Sequence, residues 1–218
     1  IKSTPDGYTL LFNNETLAVG PNVSKNVPYD VMRDLAPVGL VASSDLVIGV
    51  HPSVPAKSVS ELVAAARAQP GKLSYSSCGN GTIMHLAGEL LNLSQKIKLV
   101  HIPYKGTGPA AIAAMTGETT MMFGTGPSVV PHLPSGRLRA LGVASAQRSA
   151  LMRDVPTLRE LGYKGLLTPA YFGFVAPKGT PKPVIDKLRA LLVEIAGDKA
   201  FQERNMLNLG LIPILNTP

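Results

Sequence analysis

The chain is poor in cysteine, in aromatic rings and in charge, and each shortage removes a class of protein. Cys78 is the one cysteine, so neither an intrachain disulfide nor a cysteine-rich metal site can form. That usage leaves the compartment open, because a chain without disulfides survives any redox environment. Tryptophan is absent and aromatic residues are 5% of the 218 positions, which denies the protein a stacking platform for nucleic-acid bases. The 21 Lys and Arg against 14 Asp and Glu leave a formal charge of +7, yet the cations are scattered and no run of five occurs. No nucleic-acid partner is expected, and the positive field slightly favours a small anionic ligand. The longest apolar stretches, such as Leu46 to Val50, fall far short of the ~20 residues of a membrane-spanning helix. The four histidines, His51, His85, His101 and His132, form no H-x-x-x-H pair, and the acidic residues show no paired arrangement for acid–base work. Neither a metal nor a cofactor is expected.

What is present is core-forming material and punctuation. Hydrophobic residues are 45% of the chain against 16% charged, too apolar for disorder. Gly (21) and Pro (19) are frequent without periodicity, which points to many ordered turns. From Ser58 to Ala144, short β-rich runs alternate with amphipathic segments: a helix at 58–68 with a capping box (Ser58, Glu61), a strand at 73–76, a helix at 82–93, a strand at 98–102, a helix at 109–115 stopped by Gly117, a strand at 119–123, a short helix from Pro127 and a strand at 139–144. Such alternation predicts a parallel sheet covered by helices, a three-layer α/β lobe. The flanking segments carry strands at Tyr8 to Phe12 and Tyr171 to Ala176. They also carry one strand or two in Val38 to Val50, a helical turn near Pro156 to Leu161, a helix from Thr180-Pro181 and a last helix from Asp198 to a stop at Gly210. They read as one discontinuous lobe, residues 1–48 with 146–218, interrupted by a second at 49–145.

Three loops follow predicted strands and run into predicted helices: Ser76 to Thr82, Tyr104 to Gly108, and Gly124 to Ser128. In α/β sheets, ligands collect beyond the carboxyl ends of the strands. Glycine lets backbone N–H groups approach a guest, and a helix start adds unpaired donors with about half a positive charge. A fourth polar turn, Asn13-Asn14-Glu15-Thr16, follows the first strand. Many neutral donors with one cation, Lys105, suit a small organic anion. No G-x-x-x-x-G-K-[ST] or helix-opening G-x-G-x-x-G suggests a nucleotide. The alternative at these loops is a hydrolase that uses Cys78, Ser76 or Ser77 as nucleophile with His85 or His101 as base. The G-x-S-x-G elbow it would use is absent, and the expectation is a non-enzyme.

At these loops the chain resembles the extracytoplasmic solute-binding receptors of tripartite tricarboxylate transporters, the Bug-type receptors. The resemblance rests on Pro5-Asp6-Gly7-Tyr8-Thr9-Leu10-Leu11, Val27-Pro28-Tyr29-Asp30, Val50-His51-Pro52-Ser53, Gly79-Asn80-Gly81 with His85-Leu86-Ala87-Gly88-Glu89, and His101-Ile102-Pro103-Tyr104-Lys105-Gly106. Leu138-Arg139-Ala140-Leu141, Asp154-Val155-Pro156-Thr157, Phe172-Gly173-Phe174 and Ala176-Pro177-Lys178-Gly179-Thr180-Pro181 complete it, in order over nearly the whole chain. It implies a type II periplasmic-binding-protein fold, two three-layer α/β lobes joined by crossover strands, in a monomeric periplasmic protein. A small organic carboxylate would be captured between the lobes and passed to membrane permease subunits. By the same resemblance the ligand positions fall on Asn13, Asn14 and Thr16, on Ser77, Gly79, Asn80, Gly81, Thr82 and His85, on Lys105, Gly106 and Thr107, and on Gly124 and Thr125. Relatives begin with a further strand, a Pro/Gly-rich loop, a helix and a strand. Nothing of that kind precedes Ile1, so the first lobe is expected to be incomplete. Relatives often carry Asp where this chain has Gly124, which points to a ligand without an amino group. A small-molecule sensor domain of a transcription regulator would use the same fold, with a helix-turn-helix that this stretch does not contain.

Overall fold

The computed structural model describes residues 1–24, 26–163, 165 and 169–214. Strand β1 (Leu11–Asn14), helices α1 (Thr16–Val23) and α2 (Val31–Asp34) and strand β2 (Leu35–Ser44) come first. Then follow β3 (Leu46–Val50), α3 (Val59–Ala68), β4 (Ser74–Ser77), α4 (Ile83–Gln95), β5 (Val100–Pro103), α5 (Thr107–Thr116), β6 (Met121–Thr125), α6 (Gly126–Val129) and β7 (Arg139–Ala144). The chain ends through β8 (Ala170–Pro177), α7 (Lys182–Gly197), α8 (Lys199–Asn205) and β9 (Ile212–Pro213). Two compact units result: Ile1–Ser44 with the residues from Ala170 onward, and Asp45–Pro169.

The second unit is built on a five-stranded sheet of order β5-β4-β6-β3-β7. Its β4 pairs in parallel with β5 and β6, as strand–helix–strand alternation dictates. The four strands expected between Ser58 and Ala144 do run in one direction, and the sheet also takes in β3, which runs antiparallel to both β6 and β7. The reason is its origin: β3 follows β2 after Asp45 alone, with no crossover helix to return it in the common direction. Its continuous apolar run is buried on both faces. On one face Leu46, Ile48 and Val50 join Val59, Leu62, Val63 and Ala66 of α3 and Met84, Ala87 and Leu91 of α4. On the other, Val47, Met122 and Val143 pack on Ala111 and Ala114 of α5 and Val129 of α6. This unit is a three-layer sandwich.

Local chemistry explains the helices. Ser58 Oγ accepts the Glu61 N–H at 3.2 Å while Glu61 Oε2 reaches back to the Lys57 N–H at 2.8 Å, a capping-box exchange shifted by one residue. Gly117 ends α5 in the left-handed conformation, φ +78°, which a side chain would strain.

The unit boundary differs from the sequence expectation. The divisions fall at Ser44/Asp45 and Pro169/Ala170, not at 48/49 and 145/146. The Leu158 N–H donates to Val143 O at 2.8 Å, and the Val143 N–H donates to Pro156 O at 3.0 Å. Leu158 is buried in the larger core against Gly142, where an added Cβ would come within 2.7 Å of Leu158 Cδ2. These ties hold the segment after Ala144 to the second unit. The expected end of the outer lobe, Pro218, lies outside the described residues.

The first unit has a four-stranded antiparallel sheet, β1-β8-β2-β9. One face carries Ala36, Val38, Phe174 and Ala176 against Ile185, Leu188 and Leu192 of α7. The other, with Pro37, Gly39, Gly173 and Val175, lines a cavity of about 440 Å³ together with residues of α1 and α2. The first lobe was expected to be incomplete, and among the described residues only one face of this sheet carries an apolar core cluster. Helix α1 was not expected, because it contains Gly20 and Pro21. Proline donates no bond to the carbonyl four residues back, and the Tyr29 hydroxyl takes that role, donating to Leu17 O at 3.1 Å. A Cβ on Gly20 would meet that hydroxyl at 2.9 Å.

Candidate functional site

Strands β5, β4 and β6 are neighbours and parallel, so the loops leaving their carboxyl ends, the three singled out by sequence, share one edge of the second unit's sheet. A hydrogen-bond ledger separates the donors that build these loops from those left open. In the first loop Gly79 (φ +137°) and Gly81 (φ +74°) make the turn. The Gly79 N–H donates to Ser77 Oγ at 3.2 Å and the Gly81 N–H to His85 Nδ1 at 3.1 Å. The Thr82 N–H and hydroxyl both donate to Gly79 O, at 3.4 and 2.8 Å, while Thr82 Oγ1 caps α4 by accepting the His85 N–H at 3.4 Å. The amides of Gly79, Gly81 and Thr82, expected to hold a ligand, are therefore committed to the loop itself. Among the described residues Asn80 makes no hydrogen bond, and the N–H groups of Ile83 and Met84 in the first turn of α4 have no acceptor.

The second loop repeats the division. The Gly106 N–H (φ +110°) donates to Cys78 O at 3.3 Å, tying the loops together. The N–H groups of Thr107 and Gly108 open α5 with no acceptor among the described residues, and Lys105 is exposed without an ion pair. In the third loop Gly124 sits in β6 opposite Val47. A Cβ there would lie 2.6–2.7 Å from Val129, Met122 and Ser128 atoms, so close packing requires glycine at this position. Thr125, at the N-cap of α6, makes no capping bond with its side chain. On the first unit Asn13 and Asn14 are the last residues of β1, which runs two residues beyond the expected end at Phe12. Their Oδ1 atoms accept the N–H groups of Asn14 at 2.6 Å and Thr16 at 3.0 Å, and Thr16 Oγ1 is buried without a partner.

Beneath the first loop lies an aromatic stack. Tyr75, fully buried, stacks on His101 with ring centroids 4.9 Å apart, and His101 stacks on His85 at 4.1 Å. The Tyr75 hydroxyl donates to Glu89 Oε1 at 2.7 Å. Burial, and then the bond to the Glu89 carboxylate, drive the phenol far above its ordinary range. Burial first and the adjacent His85 second hold His101 below the usual imidazole value. Ser77 Oγ is 2.6 Å from His101 Nε2 and 3.1 Å from Gly79 O, and accepts the Gly79 N–H. A hydroxyl has one proton, and Gly79 O accepts only from a donor. The three contacts are satisfied together when Nε2–H of His101 donates to Ser77 and Ser77 donates to Gly79 O. A serine nucleophile needs the opposite polarity, with the imidazole accepting. Among the described residues no group of three His, Cys, Asp or Glu side chains could hold a metal ion, and no helix is long and apolar enough to cross a membrane.

Sequence reasoning missed Glu15, although it is the one charged residue in its turn. Its Oε2 accepts the Tyr171 N–H at 2.8 Å, its Oε1 is buried without a partner, and burial raises its pKa.

Comparison with known proteins gives one consistent family. The model of the tripartite tricarboxylate transporter family receptor matches residues 1–211. Protein BugT of Bordetella pertussis is 36% identical over the whole chain, which covers 67% of that protein. A UPF0065 protein of Pseudomonas sp. strain P51 is 38% identical over 87% of the chain and 56% of its own length. The chain thus spans between about half and two thirds of these relatives. Among solved structures, a Rhodopseudomonas palustris protein with adipate has a TM-score of 0.93 at 28% identity, over 97% of this chain and 71% of that one. MatC from the same organism, with bound malate, has a TM-score of 0.90 at 28% identity, over 96% and 71%. The periplasmic binding protein BugD has a TM-score of 0.91 at 34% identity, over 98% and 71%. The fold is that of the type II periplasmic binding proteins, as the sequence motifs implied.

Proposed function

Since the chain belongs to the tripartite tricarboxylate transporter receptor family, we propose that it serves as a periplasmic solute-binding receptor, not an enzyme. It captures a small organic carboxylate and delivers it to the membrane permease of a tripartite transporter. The observation that carries this reading is the set of open donors on one sheet edge: Asn80 with the amides of Ile83 and Met84, and the amides of Thr107 and Gly108. Two helix starts with unpaired N–H groups, Lys105 beside them and no carboxylate in the three loops make an anion site of dipoles. Ser77, Gly79, Gly81, Thr82, His85 and Gly106 shape the loops, and Thr125 adds a hydroxyl on the same edge. Relatives solved with adipate and malate support the carboxylate class. The polarity of the Ser77–His101 contact argues against the hydrolase alternative.

A thermal-shift screen tests the proposal. Mono-, di- and tricarboxylates and their neutral amides are added to the purified protein at up to millimolar concentration. An acid present at a hundred times its dissociation constant stabilises the folded state by about 2.7 kcal/mol, several degrees in melting temperature. A rise with a carboxylate that its amide does not reproduce is the expected result. A rise with neutral compounds alone would overturn it.

A further inference from the structure

One bond of the first loop depends on a ring that can change its charge. The Gly81 N–H donates to His85 Nδ1 at 3.1 Å, which requires a lone pair on that nitrogen. The bond therefore exists only while His85 is neutral. The turn it holds runs straight into α4: Thr82 caps the helix, and the open amides of Ile83 and Met84 follow. A proton on Nδ1 sets one N–H against another. Turning the ring over does not restore the bond, because a carbon then takes the place of Nδ1. His101 behaves differently. It already donates from Nε2 to Ser77, and a second proton, on its Nδ1, leaves that bond intact. The two rings are stacked at 4.1 Å with 16° between their planes, yet only His85 holds the loop by accepting. Among the described residues the titratable groups at this pair are Glu89, one turn further along α4, and Tyr75 of β4, whose hydroxyl oxygen lies 3.2 Å from His85 O and 2.7 Å from Glu89 Oε1. The first and second loops add Cys78 and the exposed Lys105. Burial, and then His85, hold His101 back from charging, with Glu89 opposing them.

We propose that His85 is the positioning residue that makes carboxylate binding depend on pH: the neutral ring holds the Gly81 turn and the amides behind it, and its protonation releases the turn and with it the ligand. The inference rests on the carboxylate reading above and assigns a regulation to that site. Every group it uses belongs to the second unit. Its sign is opposite to that of bare electrostatics. An imidazolium near the start of α4 would by itself attract an anion, so a site that felt only the charge would bind more tightly in acid. A site that needs the Nδ1 lone pair binds more weakly, in proportion to the fraction of molecules whose ring is neutral.

Nitrogen-resolved NMR of the full chain tests the first step without a ligand. At neutral pH His85 should carry its proton on Nε2. As its ring charges, in the range of about pH 8 to 5 where imidazoles titrate, the Gly81 amide should shift with the same midpoint and lose protection from hydrogen exchange. A proton on His85 Nδ1 at neutral pH, or a Gly81 amide that does not follow the ring, overturns the proposal. Titration calorimetry then reads binding as the ratio of the dissociation constants at about pH 5 and pH 7.5. The probes are malate and adipate, the acids bound by solved relatives, and any further acid that the thermal-shift screen identifies. These acids take up protons themselves in that range, so the ratio is compared with that of His85→Asn, whose Oδ1 can accept the Gly81 N–H and does not titrate. The ratio should be about tenfold or more larger in the unaltered protein, whatever the affinity of the variant at neutral pH. Equal ratios, or a smaller one in the unaltered protein, overturn the role of His85 and leave the carboxylate reading standing. If no acid binds the unaltered protein at neutral pH, both fall.

Discussion

Gly88 is where the packing of the second unit makes its sharpest demand. It lies in the middle of α4, where Ala would ordinarily be the better helix former by about 1 kcal/mol. A Cβ at this position would stand 2.6 Å from the Tyr75 hydroxyl oxygen and inside contact distance of Cζ and Cε2. Tyr75 has no room to yield, being fully buried, stacked on His101 and edge-on to Phe123 with centroids 6.0 Å apart. Gly88→Ala therefore forces the ring out of place. Overpacking costs about 1–3 kcal/mol, and breaking the Tyr75–Glu89 bond, with its charged acceptor, about 1.5–3. Against the helix gain of about 1, the net destabilisation is about 3 kcal/mol. For a chain of this length that lowers the melting temperature by roughly 10 °C.

The assay is chemical and thermal unfolding of Gly88→Ala, alone and combined with Tyr75→Ala. The single Tyr75→Ala change is itself destabilising, since it empties a large core site. In that background the new methyl has space, so the Gly88→Ala step should become neutral or gain about 1 kcal/mol. The coupling between the two sites is then about 3 kcal/mol, far above the few tenths expected of independent positions. An equal cost in both backgrounds would refute the argument, because the damage would then arise from something other than the tyrosine ring. The ring also reaches function: it supports His101, which holds Ser77 and, through it, the Gly79 turn. Gly88→Ala should accordingly weaken ligand binding as well as the fold.

Two further outcomes follow from the electrostatics. His101 is held below its ordinary imidazole value by burial and by His85, with Glu89 opposing and Tyr75 and Ser77 against its ring; as pH falls below about 6.5 the unfolded chain takes up a proton that the folded one refuses, so stability drops. Urea unfolding should show the deficit of His101→Gln relative to the unaltered protein to be smaller at pH 5 than at pH 7.5, and a constant deficit would contradict the shift. Lys105 is exposed, so Lys105→Met should weaken carboxylate binding by no more than about threefold, the share of a screened surface charge. A loss of a hundredfold would mean that an ion pair, and not the amides, carries the affinity.

Much of this was legible because it is local. The Ser58/Glu61 exchange, the Gly117 stop and the three strand–loop–helix units are written within a few residues of where they act. Asp198 likewise caps α8 by accepting the Phe201 N–H at 2.6 Å, where the last helix was expected to begin. The failures were non-local. That β3 joins this sheet, antiparallel to β6 and β7, depends on the strands it pairs with, and periodicity is blind to that. The segment after Ala144 joins the second unit through Val143 and Leu158, two residues fifteen positions apart. Helix α1 was hidden by Gly20 and Pro21, whose cost is offset by Tyr29 from beyond the helix. Glu15 was not singled out within its polar turn, and nothing in the sequence shows that its second oxygen would be buried without a partner.

The glycine-rich loops teach the same lesson at the site. Glycine marks where the backbone can turn its N–H groups towards a guest, but it does not say whose guest they receive. Here Gly79, Gly81 and Gly106 turn their donors onto Ser77, His85 and Cys78, and the amides left open belong to Ile83, Met84, Thr107 and Gly108. The division has a physical logic. A loop whose own donors are tied down loses little conformational freedom when an anion arrives, so more of the interaction appears as affinity. The committed bonds run from the fully buried Tyr75 through His101 and Ser77 to Gly79, which anchors the open amides to the core of the second unit. The histidine and serine that suggested a hydrolase thus act as struts. Ser77 shares Gly79 O with the Thr82 N–H and hydroxyl and accepts the Gly79 N–H, so its hydroxyl is part of the loop that presents the ligand's donors.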